Sequence, residues 1–429
     1  MSDVFDELHR RGLIAQTTDE EALRAHLAAG PVTYYCGFDP TAPSLHVGHL
    51  VQFMLLRALQ RAGHQPIVLV GGATGLIGDP RPSAERQLND RATVAGWVES
   101  IRRQVAPFLD LPAEREGLKA PVYVDNLTWT EPLSAIDLLR DLGKHFRVGR
   151  MLAKEAVSAR LNSEAGISYT EFSYQILQAN DFRELYRRHG CTLQSGGSDQ
   201  WGNLTAGIDL VRRTEGATVH ALSTQLVTKA DGTKFGKSEG GSVWLDPALT
   251  SPYTFFQFWL NADDADARTW LRLFSERPAE EVEALVAESV ERPAARAAQR
   301  ALAEELTALV HGAEELRRAE AAGRALFGRE DLAALDPGTL DAALREAGSV
   351  TLDGETPTVA QMLQRTGLAS SLSDARRTVK EGGAYLNNER VTDADAVPGE
   401  DAWLPGDWLV LRRGKRAVAG VQRGPSTAG

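Results

Sequence analysis

Three times in the first 200 residues, a short apolar run stops at a polar or glycine-rich turn and gives way to a helical pattern. The runs are 32–38, 67–70 and 191–194. The turns behind them carry Asp39-Pro40-Thr41, Gly71-Gly72 and Gly196-Gly197. A short strand at 122–124 and an extended segment at 219–228 continue the alternation. Helical patterns fall at 44–62 (closed by Gly63), 134–142, 169–178 and 198–214. Thr18 with Glu21 reads as a capping box for a helix running to about Ala29. Such alternation predicts an α/β fold with a Rossmann-like parallel sheet covered by helices. In a sheet of that kind the strand-end turns converge on one crevice, so their chemistry has to be read together.

The pattern changes past Ser251. Residues 251–327 are rich in Ala, Glu and Arg and helical except near Pro278 and Pro293, which predicts a small helical domain. Residues 328–356, with several Gly and Pro, read as a linker with short helical pieces. Residues 357–421 form a further small α+β domain, with helices at 359–365 and 373–381, a Gly382-Gly383 turn, and strands near 384–386 and 408–412. With 1–228 as the main α/β domain, including a helical insertion, and 229–250 as a loop, 429 residues suffice for each part to build its own core. The net charge of −11 argues against a protein that coats nucleic acid, and no DNA partner is expected. From residue 357 onward, however, ten basic residues face eight acidic ones, a local balance suited to RNA. No run is long enough to span a bilayer, and the first eleven residues do not resemble a signal peptide. Cys36 and Cys191 are too isolated for a disulfide framework or a zinc site. These features predict a cytoplasmic protein.

The turn after 32–38 leads into His46, Gly48 and His49 at the start of a helix, where backbone N–H groups and the helix dipole favour an anion. Gly48 leaves room for a flat ring against the backbone. Far downstream, Lys229, Lys234 and Lys237 crowd one loop in a chain with only eight lysines among 47 basic residues. A mobile point charge suits phosphates that move, which is a reason to use Lys where Arg is the default. Tyr174, Gln178 and Asp181 share one helix face at i, i+4 and i+7. Asp79 closes the glycine-rich run that starts at Gly71 and could take an ammonium group. Taken singly, each feature has a plainer reading: a surface cap, a solvated loop, a solvent-facing helix. Together, in one crevice, they describe a site for a triphosphate beside a small polar molecule.

The His element and the segment Lys234-Phe235-Gly236-Lys237-Ser238 resemble the two signatures of class I aminoacyl-tRNA synthetases. The His element alone would also suit a cytidylyltransferase or the tryptophan-specific enzyme. The fuller set is Tyr35 to Thr41, Val70 to Pro80, Thr170 to Tyr174, Gly196 to Asn203 and Thr228 to Ser238, and in this order it resembles the bacterial tyrosyl-tRNA synthetases over nearly the whole chain. That resemblance implies L-tyrosine, ATP and tRNA(Tyr) as partners, a homodimer, and no permanently bound cofactor, with Mg2+ arriving on ATP. It assigns Tyr35 and Asp181 to the phenol, Tyr174, Gln178 and Asp79 to the ammonium, and Gln200 to the carboxylate. Thr41, His46 and His49 would meet the ATP phosphates and ribose. Asp39, Gly48, Gly197 and Asp199 would shape the nucleotide site, and Lys234 and Lys237 would close over pyrophosphate. Residues 357–421 would be an RNA-binding domain akin to one in a ribosomal protein. Where relatives carry a Lys after the Gly-Asp-Pro turn, this chain reads Arg81-Pro-Ser-Ala-Glu-Arg86. Arg86, or else Arg81, is then the basic partner of pyrophosphate. No general base is needed, because the attacking carboxylate is already charged; alignment and charge stabilisation remain for the protein to supply.

Overall fold

The computed structural model describes residues 3–80, 88–109, 118–164, 166–233, 235–238, 241–415 and 417–424. It forms two compact units: Met1–Asp246 with Asp263–Ala298, and Pro247–Ala262 with Gln299–Gly429.

The first unit is built on six strands: β1 (Gln16–Thr17), β2 (Thr33–Phe38), β3 (Gln65–Val70), β4 (Val122–Asp125), β5 (Leu193–Gly197) and β6 (His220–Thr224). Their order is β1-β6-β5-β2-β3-β4, parallel throughout except for β1 on β6. The central strands are covered on both faces, and Tyr34, Tyr35 and Cys36 of β2 and Pro66 to Val70 of β3 are all buried. From β2 the chain steps outward through β3 to β4, then returns to place β5 and β6 on β2's other side. The switch point therefore lies between β2 and β5, where a doubly wound sheet opens its crevice.

Several turns hold that opening in shape. Gly71 and Gly72 end β3 because carboxylates from both neighbouring strands press on them. A Cβ on Gly71 would sit 2.1 Å from Asp39 Oδ1, and one on Gly72 would sit 2.4 Å from Asp125 Oδ1. The helix expected over 44–62 starts later, as a 3-10 turn Val47–His49 capped by His46, continuing as the helix Leu50–Arg61. A helix Val4–Arg10 comes first, and the helix expected from Thr18 runs Glu20–Ala28, capped by Asp19 and not by Thr18. The helix expected at 169–178 runs on to His189. It is capped by Ser168 and stopped by Gly190 at φ 62°, and Arg187, Arg188 and His189 sit at its negative end. A 19-residue helix, Arg91–Leu109, had no counterpart in the sequence reading.

Two short strands, β7 (Lys237–Ser238) and β8 (Gly241–Ser242), pair within the Lys-rich loop. The helices Asp264–Phe274 and Ala279–Glu291 also belong to the first unit, so the helical domain expected over 251–327 is divided between the two.

The second unit ends in a five-stranded sheet of β9 (Ser349–Leu352), β10 (Ala384–Leu386), β11 (Glu389–Arg390), β12 (Trp408–Arg413) and β13 (Ala417–Arg423), in the order β11-β10-β12-β13-β9. The expected linker 328–356 contains the helix Pro337–Ala347 and strand β9, which pairs in parallel with β13. That pairing has no local sequence signal, since its two strands lie about 70 residues apart, and it extends the terminal domain upstream of 357. Asn387 and Asn388, both at positive φ, make the two-residue turn between β10 and β11. Among the described residues, no helix is long and apolar enough to cross a membrane.

Candidate active site

A cleft of about 600 Å³ opens where β2, β5 and β6 end, beside the helix Tyr169–His189. It gathers thirteen of the sixteen residues singled out from the sequence: Tyr35, Asp39, Thr41, His46, Gly48, His49, Asp79, Tyr174, Gln178, Asp181, Gly197, Asp199 and Gln200. Arg86 and Lys234 lie outside the described residues. Lys237 contributes its backbone to β7.

One end of the cleft is closed by Asp181, which is 2 % exposed. Its carboxyl accepts from Asn126 Nδ2 at 3.0 Å and from Trp129 Nε1 at 2.8 Å. Burial pushes its pKa up to about 8, although these two hydrogen bonds favour the charged form. Tyr35 stands beside it in the cleft wall, its hydroxyl donating to Gln194 Oε1 at 3.1 Å. A carboxyl and a phenol side by side at this buried end suit a ligand hydroxyl there.

Further along the same helix, the Tyr174 hydroxyl donates to Asp39 Oδ2 at 2.6 Å, and Thr74 donates to Asp39 Oδ1 at 2.7 Å. Asp39 thus joins the strand-end turn to the helix face, a link the sequence reading placed only on the nucleotide side. Gln178 turns a buried amide oxygen that has no hydrogen-bond partner among the described residues, although its residue lines the cleft. Opposite, Asp79 accepts from Gln200 Nε2 at 2.9 Å and from Asn203 Nδ2 at 3.2 Å. Acceptors concentrated on this wall suit an ammonium group.

At the other end lie the two imidazoles, with ring centroids 4.2 Å apart. His46 Nδ1 accepts from Gly48 N at 3.1 Å, and His49 Nδ1 lies 3.1 Å from His46 N and 3.2 Å from His46 O. An imidazole whose Nδ1 accepts carries its proton on Nε2, so the His46 ring is a donor on that side. Burial, then the neighbouring His46, pushes His49 down to about 3, so it donates as a neutral group. The Lys loop is pinned to this element. Val47 N donates to Val243 O, Leu245 N donates to Leu45 O, and Val243 N donates to Gly236 O. Phe235 is buried, edge-on to Trp270 at 4.8 Å and stacked on Phe274 at 5.8 Å. The loop's central aromatic is therefore an anchor in the helix Asp264–Phe274.

Asn126, Trp129, Gln194 and Asn203 escaped the sequence reading. Asn126 and Trp129 follow directly on β4, and a strand-end turn was the signal that could have found them. Gln194 points from mid-strand, where nothing distinguishes it from a core residue.

The family described as "tRNA synthetases class I (W and Y)" matches residues 27–328, and the "Tyrosine--tRNA ligase SYY-like C-terminal domain" matches residues 340–419. The chain is 62% identical to the tyrosine–tRNA ligase of Streptomyces coelicolor over 423 residues, covering 98% of this chain and 99% of the relative. It is 63% identical to that of Acidothermus cellulolyticus over 425 residues, covering 99% and 100%. The chain belongs to the bacterial tyrosyl-tRNA synthetases. Among solved structures, a C-terminally truncated mitochondrial tyrosyl-tRNA synthetase of Aspergillus nidulans aligns with a TM-score of 0.68 at 29% identity, covering 76% of this chain and 95% of that one. A tryptophanyl-tRNA synthetase of Encephalitozoon cuniculi shares the fold, with a TM-score of 0.55 at 13% identity over 73% of this chain and 87% of that one. As a tyrosine–tRNA ligase, the synthetase activates tyrosine with ATP and transfers it to tRNA(Tyr).

Proposed function

We propose that the cleft holds tyrosine lengthwise, its phenol between Tyr35 and Asp181, its ammonium among Tyr174, Gln178 and Asp79, and its carboxylate near Gln200. The observation that carries this reading is Asp181: a buried carboxyl, fixed by Asn126 and Trp129, at one end of the cleft. A site built to hydrogen-bond a substrate hydroxyl rejects the analogue that lacks it, an effect for which tyrosyl-tRNA synthetases are the standard example. Phenylalanine would bring no hydroxyl to meet the buried Asp181 carboxyl and the Tyr35 phenol.

ATP then lies toward the imidazoles, with Asp39, Gly48, Gly197 and Asp199 shaping its site and Thr41 beside the phosphates. A Cβ on Gly48 would fall 2.8 Å from the His46 ring, so this turn stays tight only as glycine. The tyrosine carboxylate attacks the α-phosphorus and pyrophosphate leaves. The negative charge that develops is met by the imidazoles of His46 and His49 and by Lys234 and Lys237, with Arg86 as a further cation. Magnesium arrives with ATP and neutralises phosphate charge. Residues 340–419 bind tRNA. The enzyme works in the cytoplasm as a homodimer, a state supported by exposed apolar side chains at Ile136, Leu139, Val148, Leu161 and Tyr169. Light scattering at micromolar concentration tests that state, and a monomer would refute it.

The deciding assay is amino-acid-dependent exchange of pyrophosphate into ATP. Exchange with tyrosine, and only traces with phenylalanine or tryptophan, is the expected result. Equal exchange with phenylalanine would remove the phenol site from this end of the cleft.

A further inference from the structure

Lys154 lines a second cleft of about 400 Å³, together with Arg147, Arg150, Asp209 and Arg213. Its stem crosses Gly202, where a Cβ would fall 3.0 Å from Lys154 Cε. Its ammonium donates to Asn203 Oδ1. Burial pushes its pKa down to about 8, with the charge of Asp79 working in the opposite direction. A cation that gives up water to meet a neutral amide calls for a reason, and the next bonds along supply one.

An ammonium can only donate. The atom of Asn203 that faces Lys154 must therefore be its oxygen, which turns Nδ2 the other way. Nδ2 donates to Asp79 Oδ1 at 3.2 Å and to Gln200 Oε1 at 2.9 Å. Because the Gln200 oxygen is engaged there, its Nε2 is left to donate, and it reaches Asp79 Oδ2 at 2.9 Å. Lys154 at one end, which only donates, and the Asp79 carboxylate at the other, which only accepts, together fix the direction of every bond between them. Without Lys154 the Asn203 oxygen loses its charged donor, and Asp79 alone holds the amide in this sense.

We propose that Lys154 is a positioning residue for tyrosine, fixing together with Asp79 the direction of the Asn203–Gln200–Asp79 chain that receives the substrate's ammonium and carboxylate. This rests on the placement of tyrosine argued above. Lys154 touches no reacting atom and acts through Asn203.

The test is tyrosine-dependent pyrophosphate exchange with the full-length enzyme and the variants Lys154→Met, Lys154→Gln, Lys154→Arg and Asp79→Ala. Met keeps the stem against Gly202 and removes the donor. Gln can accept as well as donate, so it no longer dictates a direction and keeps the test open if Met does not fold. Both variants should raise KM for tyrosine roughly tenfold or more, the scale of a hydrogen bond to a charged group. KM for ATP should stay within about twofold, and Lys154→Arg should recover most of the loss. Tyrosine and ATP KM values moving together, or Arg no better than Met, would show a structural role and overturn the proposal. If Asp79→Ala raises KM for tyrosine while Lys154→Met and Lys154→Gln do not, only the proposal fails. If Asp79→Ala leaves KM unchanged, the placement of tyrosine itself fails.

Discussion

The six-stranded sheet of this synthetase carries buried hydroxyl and amide side chains in its middle, whereas the core under the five-stranded sheet is built mainly from aliphatic side chains. Gln194, Ser195, Ser223 and Thr224 lie on strands of the first and are fully or nearly enclosed, and Asp181 and Asn126 are enclosed beside them. The core of the second is Leu352, Val359, Met362, Leu363, Val379, Leu409, Leu411 and Val421, with the buried nitrogens of Trp408 and Arg412 on strand β12. The difference follows from topology. A parallel sheet with a switch point leaves a crevice whose walls must be polar to bind anything specific, and each buried polar group then needs a partner. The second sheet is mostly antiparallel, with local hairpins and a closed apolar face. Whatever it recognises has to meet its surface.

The most severe way to test this contrast is to empty the buried site. Asp181→Ala leaves Trp129 Nε1 unpaired, leaves Asn126 Nδ2 with Thr74 Oγ1 alone, and takes away the acceptor for the substrate hydroxyl. Each such loss costs about 1–3 kcal/mol, so kcat/KM for tyrosine should fall roughly 10²- to 10³-fold. ATP alone should still bind, as read by equilibrium dialysis. A variant retaining wild-type exchange with tyrosine would show that the buried polar end does not choose the substrate.

A smaller effect follows from the titration of the same carboxyl. Its pKa, pushed up to about 8 by burial, means that the better acceptor, the charged form, gains population as pH rises. The ratio of kcat/KM for tyrosine to that for phenylalanine should therefore climb through about pH 8, and the substrate's own ammonium cancels in the ratio. Trp129→Phe removes a bond that favours the charged form, so the inflection should move to higher pH. A ratio flat between pH 6.5 and 9 would place the carboxyl outside the phenol site.

The two sheets also differ in how far they could be read from the sequence. The crevice was legible because its chemistry sits on turns: Asp39, Gly71, His46 and Gly197 all punctuate strand ends. Tyr174, Gln178 and Asp181 were legible through helical spacing. Asn126 and Trp129, which hold Asp181, come from the loop behind β4, and only the folded sheet brings that loop to the helix. In the second unit, helix Val359–Arg365 and strand β10 agree with the sequence reading because capping and turn residues mark them locally. Strand β9 lies in a segment whose sequence reads as linker, because its partner lies far along the chain and its four residues carry no alternation strong enough to stand alone.

Surface recognition by the second sheet's domain predicts a separable defect. Arg365 and Lys380 are exposed on its two helices, and neither shows an ion pair among the described residues. Reversing both charges, with Arg365→Glu and Lys380→Glu, should weaken tRNA charging roughly tenfold and flatten its log–log salt dependence by about one per residue. Tyrosine-dependent exchange should not move. A fall in exchange would mean that the charges serve the first unit's chemistry, and the contrast between buried and surface recognition would be lost.

The smallest expected effect concerns stability. His49 is pushed down to about 3, and the buried His64 and the pair His26 and His220, with rings 4.8 Å apart, are lowered too, chiefly by burial. Unfolded histidines take up protons below about pH 6.5 while these folded ones resist, so their contribution is complete above that pH and drains away as pH falls toward the folded values. In the second unit the corresponding group is Asp374, held well below the usual carboxylate range by Arg413 and the Ser370 backbone. Its contribution is present above about pH 4 and is lost only below that. Between pH 7.5 and 5.5 calorimetry should therefore show the first unit's transition falling while the second's stays in place. One such histidine is worth about 1.4 kcal/mol per pH unit below 6.5, roughly 2–4 °C in a domain of this size. His49→Gln should flatten the first unit's slope by about that amount, because glutamine has nothing to titrate. An unchanged slope would mean that the ring takes up its proton without cost in the folded cleft, and that the polar interior is less dry than its geometry implies.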